Sequence, residues 1–371
     1  MNTRQMRIAA AHMALLLAAL PGIAPGQVRD PLPVPDVLGF KTLKCDFHIH
    51  TIFSDGEVWP TTRVMEAWQD GLDAIALTDH VGHHPHRADV STDLQRVFEV
   101  ALPEADRLGV ILIPGGEVME GNTHFNALFV TDAMAFGSMK LLPALRVAAA
   151  QKAFVLWNHP GWKETPRWSE LVATAHQESL FQGVELVNGL TFYPEVLPLA
   201  RAKGLTMLAN SDVHGPIRTE FAERTRPITL VLSKTRDTAG IREALDAGRT
   251  AVWVNGQIWG DAAILTALWA GSVEPQGDRM SLGGSGKSAA LTIVNRSAIP
   301  FHTRVTGCPA WLYCGGTGIE PRRAGLLSVS PAKNPPAGVH RIEIELEVTN
   351  LHTVPDSNLH VRLPVEIEIR P

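Results

Sequence analysis

The sequence predicts an α/β chain: a parallel sheet covered by helices and closed into a barrel, then a small antiparallel β domain. Three observations predict it. From Leu43 to about Val254, short apolar runs alternate with helix-like stretches, the pattern of strands buried on both faces. Those runs end repeatedly in His, Asp or Glu, as they do where a barrel gathers its site at the strand ends. Beyond a Gly-rich stretch, Pro275 to Gly286, the texture changes to two-residue alternation, typical of half-buried antiparallel strands.

The elements follow in chain order. The first strand is expected over Leu43–Phe47, and further strands over Asp73–Thr78, Val110–Pro114, Phe125–Val130, Ala153–Asn158, Gly183–Asn188, Leu205–Asn210 and Ile228–Leu232. Helices are expected over Thr61–Asp70, Asp93–Leu108, Lys140–Gln151, Trp168–Glu178 and Thr238–Ala247. Seven or more such units favour closure into a barrel. An open doubly wound sheet gives the same alternation, but no GxGxxG follows the first strand. After a last helix over Ala262–Ala270, β segments are expected at Ala290–Asn295, Gly325–Val329, His340–Val348 and Leu359–Ile369, forming a sandwich-like domain.

Composition bounds the rest. The chain has 371 residues, 45% hydrophobic and 19% charged, which suits two globular domains. A net charge of −5 without any basic block gives no electrostatic surface for nucleic acid. Residues 1–26 read as a signal peptide: Arg4 and Arg7, an apolar stretch from Ile8 to Leu20, then Ala24-Pro25-Gly26. That stretch is shorter than the roughly 20 residues needed to span a membrane. Export to a periplasm or the exterior is therefore expected, with residues 27–260 as the barrel and 261–371 as linker helix and β domain. An oxidising compartment would permit a disulfide between Cys308 and Cys314, while Cys45 reads as a small buried hydrophobe.

The organising stretch is Asp46-Phe47-His48-Ile49-His50-Thr51, with Ser54-Asp55-Gly56 just after it. Alternation puts His48 and His50 on one side, where two imidazoles can meet one ion and Asp46 can hold a ring N–H. Ligand-type residues recur after later strands: Asp79-His80, Glu117, His159, and Asp212 with His214. Nine of the 15 histidines lie in these segments, counting His83, His84, His86 and His124.

Together Asp-x-His-x-His-Thr, Ser-Asp-Gly, Thr-Asp-His, Gly-x-Glu, Asn-His-Pro and Ser-Asp-x-His resemble the polymerase and histidinol phosphatase (PHP) superfamily. The resemblance covers residues 43 to about 255 and is closest to secreted bacterial phosphodiesterases with a β-rich tail. It implies a distorted (β/α)7 barrel holding two to three divalent metals and hydrolysing phosphoesters through a hydroxide held between them. Carried over position by position, His48, His50, Glu117 and Asp212 would hold one metal. Glu117 would bridge to a second held by His124 and His159, and Asp55, His80 and His214 would hold the third. The oxygen donor Asp55, where some relatives have histidine, favours manganese or iron over zinc.

A leaving-group acid is sought in His86 or Asp79, and phosphate clamps in Arg87, Lys163 and Arg218. Bland roles stand beside these. Asp46 and Asp79 would orient neighbouring histidines, Trp157 and Trp162 would pack the barrel rim, and His83 and His84 would belong to a solvated loop. The expected activity is hydrolysis of small phosphodiesters. Phosphomonoester hydrolysis of the histidinol-phosphatase type and an inactive binding protein are the competing readings.

Overall fold

The computed structural model describes residues 28–137, 139–163, 168–222, 225–277, 279–283, 288–354 and 357–370. The proposed signal peptide lies outside them. Around the barrel run β1 (Lys41–Asp46), β2 (Ala74–Leu77), β3 (Ile111–Glu120), β4 (Thr123–Leu128), β5 (Phe154–Trp157), β6 (Gly183–Asn188) with its short hairpin partner β7 (Thr191–Phe192), β8 (Thr206–Asn210) and β9 (Ile228–Ser233). Hairpin strands β10 (Thr250–Val254) and β11 (Gln257–Gly260) complete the sheet on the β9 side. The strands that face the helices are nearly continuous runs of Ala, Val, Ile, Leu and Phe, and they are buried almost throughout.

The sheet is not all parallel. Pairings β1–β2, β2–β3, β5–β6 and β6–β8 are parallel, whereas β4 runs antiparallel to β3 and β5, and β9 antiparallel to β1. The cause at β4 is local: only Gly121 and Asn122 separate it from β3, and Gly121 takes the positive φ (63°) that a two-residue hairpin needs. Closure is also irregular. Thr250 donates from Oγ1 to Met207 O, and Thr229 Oγ1 both accepts from Ala209 N and donates to Ala209 O, so threonine side chains stand in for a ladder at β8. At the far end the segment after β8 pairs with the extension of β1, through Asp212 N to His48 O (2.8 Å) and His50 N to Val213 O (3.1 Å).

Helices α1 (Pro60–Gln69), α2 (Gln95–Leu108), α3 (Leu141–Ala150), α4 (Glu170–Gln177), α5 (Val196–Lys203), α6 (Ile217–Glu220) and α7 (Thr238–Asp246) are interleaved with the barrel strands. The sequence reading lacks α5 and α6. Helix α8 (Ala262–Ser272) is apolar on most of its surface and buries Ile264, Leu265, Leu268 and Trp269, leading into the β domain.

That domain is two facing sheets. One is antiparallel, in the order β12 (Val273–Pro275), β14 (Ala289–Asn295), β18 (Ala324–Pro331), β16 (Leu312–Gly315). The other contains β13 (Met280–Gly283), β15 (Phe301–Gly307), β17 (Gly318–Ile319) and the long hairpin β19 (Gly338–Val354) with β20 (Ser357–Arg370). It joins the barrel sheet, because β19 pairs in parallel with β11, Ile258 opposite Leu351 and Trp259 opposite His352. Cys308 and Cys314 are free thiols beside one another, and burial together with Cys308 pushes the Cys314 thiol up to about 12.

Candidate metal centre

Each ligand-type residue arrives where the backbone pairing puts it. His48 and His50 ride the extension of β1 beyond Asp46, on one side of it. Glu117 is held in β3 by a bridge to the segment after β2, with Val81 N donating to Glu117 O and Glu117 N to Asp79 O. The β3–β4 hairpin sets His124 opposite Met119, hence diagonal to Glu117 on one face. That is why their short separation in sequence works. Asp212 and His214 follow β8. His159 and Asp212 adopt positive φ (27° and 52°), as residues held by a site often do.

Nine side chains converge: His48, His50, Asp55, His80, Glu117, His124, His159, Asp212 and His214. His48 Nε2 and His50 Nε2 lie 3.0 Å apart, 3.1 and 3.0 Å from Asp212 Oδ1, and 3.5 and 3.4 Å from Glu117 Oε2. The other Glu117 oxygen, Oε1, is 3.0 Å from His124 Nδ1 and 3.4 Å from His159 Nε2. Asp55 lies 3.4 Å from His214 Nε2 through Oδ1 and 3.5 Å from His80 Nε2 through Oδ2. Atoms bound about 2.1 Å from a shared ion stand about 3.0–3.5 Å apart, so these spacings suit ligand shells. Buried Glu117 Oε2, Asp55 Oδ1 and His80 Nδ1 have no hydrogen-bond partner, although His80 Nδ1 sits 2.9 Å from Glu117 Oε2. Unpaired buried oxygens and nitrogens facing one another are what a cation would satisfy. The donors fit divalent metal ions.

The electrostatics say the same. Burial works against charge on His48, but the carboxylates of Asp212, Glu185 and Glu117 hold it well above the usual imidazole range. His50 is pushed down to about 3 by burial and by the neighbouring His214 and His80. Against burial, Glu117 and Asp55 raise His80 to about 10. His48 and His80 drive Glu117 far below the ordinary carboxylate range despite its burial. Without an ion, protons take the place of positive charge among these carboxylates.

Residues missing from the sequence reading hold the ligands in place. Glu185, fully buried in β6, accepts from His48 Nδ1 (2.9 Å), Asn210 Nδ2 (2.9 Å), His159 N (2.7 Å) and Asn188 Nδ2 (2.8 Å). It orients the His48 ring, the task expected of Asp46. Asp46 instead pairs with buried Arg226 (2.6 Å) and accepts Ser211 N and His48 N. Asn158 donates to Glu117 Oε1 (2.8 Å), and Asn188 to Asp212 Oδ2 (3.2 Å). Arg63, also fully buried, ties α1 to the carbonyls of His50, Val213, His214 and Gly215.

Three expected catalytic residues stand elsewhere. Asp79 spends both oxygens on Thr51 and Ser54, accepting N–H and O–H from each at 2.6–3.0 Å, so it braces the turn that presents Asp55 and lacks a free proton-donating edge. Arg218 is exposed on α6 and lines a surface cavity of about 380 Å³ with Gln69, Asp70 and Phe221, none of them in the cluster. In the loop after β2 it is His83, not His86, that reaches the ligands. Its Nε2 is 3.9 Å from Asp55 Oδ2 and its ring meets His80 edge-on, while His84 pins the loop to Phe53 O and Val81 O. Trp162, 38% exposed, packs on the rings of His124 and His159 at 5.3 and 5.4 Å, with Lys163 Nζ 3.7 Å above it. Trp157, by contrast, is buried.

Comparison with known proteins fits this picture. A two-domain protein of Bacteroides vulgatus containing a predicted PHP-like metal-dependent phosphoesterase superposes with a TM-score of 0.83 at 34% identity, over 91% of this chain and 99% of that one. This chain belongs to the PHP-like metal-dependent phosphoesterases. The match spans both domains of this chain. A protein of Bifidobacterium adolescentis assigned as a metal-dependent phosphoesterase is far more distant, at TM-score 0.38 and 16% identity over 54% of this chain and 95% of that one. No family model and no curated protein matches the sequence. A hydrolase acting on phosphoesters with divalent metals follows for this chain.

Proposed function

We propose that this PHP-like phosphoesterase is a phosphodiesterase of small exported or environmental diesters, working with up to three divalent ions. The observation that carries the diester reading is the make-up of the cluster's rim. Trp162 gives the second ester group an apolar surface beside His124 and His159. Of the buried arginines, Arg63 is spent on backbone carbonyls and Glu66, and Arg226 on Asp46 and Asp70. Neither arginine is free to meet the second negative charge of a monoester, and the rim's Lys163 lies over the Trp162 ring.

His48, His50, Glu117 and Asp212 would hold one ion, Glu117 with His124 and His159 a second, and Asp55, His80 and His214 a third. When bound, such ions polarise the phosphoryl group and make water a strong nucleophile at neutral pH. The chain's own part is to fix that constellation. Glu117 serves two donor groups with its two oxygens, Glu185 aims His48, and Asp79 sets the turn bearing Asp55. Asp55 supplies a hard oxygen, so manganese is the proposed native ion, with iron or zinc as substitutes. The amino-terminal segment would direct the protein to a periplasm or the exterior.

The deciding assay compares bis(p-nitrophenyl) phosphate with p-nitrophenyl phosphate for the purified protein, with and without chelator, after Mn²⁺ or Zn²⁺ reconstitution. Chelator-sensitive turnover strongly favouring the diester is expected. A preference for the monoester would overturn the diester reading, and no turnover of either would leave a metal-binding protein.

A further inference from the structure

We propose that the C-terminal β domain positions the metal ligand Asp212, through a three-ring stack that ends at the β6–β7 hairpin. His352 of β19 stacks on Trp259 of β11, with centroids 4.9 Å apart and planes at 24°. Trp259 stacks in turn on Phe192 of β7, at 4.4 Å and again 24°. Phe192 pairs across the hairpin with Val187, and Thr191 with Asn188. Asn188 then donates through Nδ2 to Asp212 Oδ2 and to Glu185, the carboxylate that aims His48. One row of contacts therefore runs from the β domain to the cluster.

The row is anchored at its outer end. His352 Nε2 bonds Gln257 Oε1 (2.7 Å), Asn350 Nδ2 donates to Gly256 O (2.6 Å), and Arg201 of α5 donates to Thr353 O. The inner end is held on its β8 side, where Asn188 pairs with Asn210 and Gly189 N bonds Asn210 O, but β7 is only two residues long and the hairpin tip, Leu190, is 47% exposed. A two-residue strand has little hold of its own, so the stacked rings supply the wall against which the hairpin rests. Without it Asn188 would still reach Asp212, but from a strand end braced only on its β8 side.

This rests on the divalent-metal reading of the cluster and not on diester preference. The test measures two things on the full-length protein: hydrogen exchange at Gly189 and Tyr193, whose amides bond Asn210 O and Leu186 O, and Mn²⁺ affinity by calorimetry. In His352→Ala both amides should exchange about tenfold faster, and the weakest-held Mn²⁺ should bind about tenfold less tightly. His352→Phe, which keeps a stacking ring, should restore both to within about twofold of the parent, an outcome that general damage to the domain would not give. Asn188→Ala should weaken Mn²⁺ similarly, and adding His352→Ala to it should cost little more, because both cut one path. Tyr313→Ala, exposed on β16, serves as the unaffected control. Should His352→Ala fail to fold, Phe192→Leu on the barrel side carries the same readouts. Unchanged exchange and affinity, failure of His352→Phe to rescue, or fully additive losses would overturn the proposal. A parent protein that binds no Mn²⁺ would sink the metal reading, while the exchange arm still decides the positioning role.

Discussion

Glu117 is the residue on which the most geometry converges. Its replacement by Gln keeps the volume, but removes the charge that balances two donor groups. Glu117→Gln should lower diester turnover on the order of 10³-fold and release at least one ion per chain, with the circular dichroism spectrum unchanged. Elemental analysis showing full metal content with near-normal turnover would remove Glu117 from the ligand set. His83 offers a second contrast. Because its ring reaches Asp55 and that of His86 does not, His83→Ala should reduce kcat by about 10²-fold and His86→Ala by less than about threefold; equal effects would refute the assignment by geometry. The candidate ligands were legible in the sequence, since most sit past an apolar run, whereas His124 opens β4 ahead of one. Glu185 was not. It lies inside Gly-Val-Glu-Leu-Val-Asn, read simply as a buried strand. The one available signal was a carboxylate amid apolar neighbours, a group that folds inside only with partners to satisfy it.

At the level of elements, the turn between β1 and α1 leaves no room at Gly56. A Cβ on Gly56 would stand 2.8 Å from the backbone of His50 and Thr51, and that backbone belongs to the ligand strand itself. Gly56→Ala should therefore cost about 1–3 kcal/mol of stability and displace Asp55. A drop in the thermal midpoint together with loss of one ion from the metal count is expected; an unchanged metal count would show that Asp55 tolerates the shift. Strand positions were readable because burial on both faces leaves continuous apolar runs, as at Ala74–Leu77 and Phe154–Trp157. Strand direction was not, because the Gly121-Asn122 turn that reverses β4 separates two such runs without marking their sense. Helix α5 escaped notice because of Pro198, which a helix accepts in its first turn although it breaks the pattern when read along the chain. The expected Cys308–Cys314 bridge has its partners adjacent as thiols, and spacing alone could give no more than that proximity.

For the whole molecule, folding and metal loading are linked. An ion that binds only the folded chain adds about 4 kcal/mol at a thousand times its dissociation constant, so chelation should lower the thermal midpoint by several degrees. Protons compete with the ions. Burial opposes charge on His80, His159 and His214, yet neighbouring carboxylates raise all three, His80 to about 10. Ligation needs neutral imidazoles, so Mn²⁺ binding near pH 7 should expel protons, visible as a buffer-dependent heat in calorimetry, and should weaken as the pH falls. A buffer-independent heat would count against it. The sign for the metal-free protein follows from the same direction: a raised folded pKa stabilises below the ordinary 6.5 and ceases to do so through about 10. Metal-free protein should thus lose thermal stability between pH 7 and 10 while the loaded form does not. The parallel pairing of β11 with β19 carries a different consequence, for solubility. A chain cut after Gly260 would leave β11 as an open margin, its backbone groups unanswered and the His352 face of Trp259 bared to water. Such a margin is a template for another copy, so the isolated barrel should come out of the cell as aggregates even though its interior is complete.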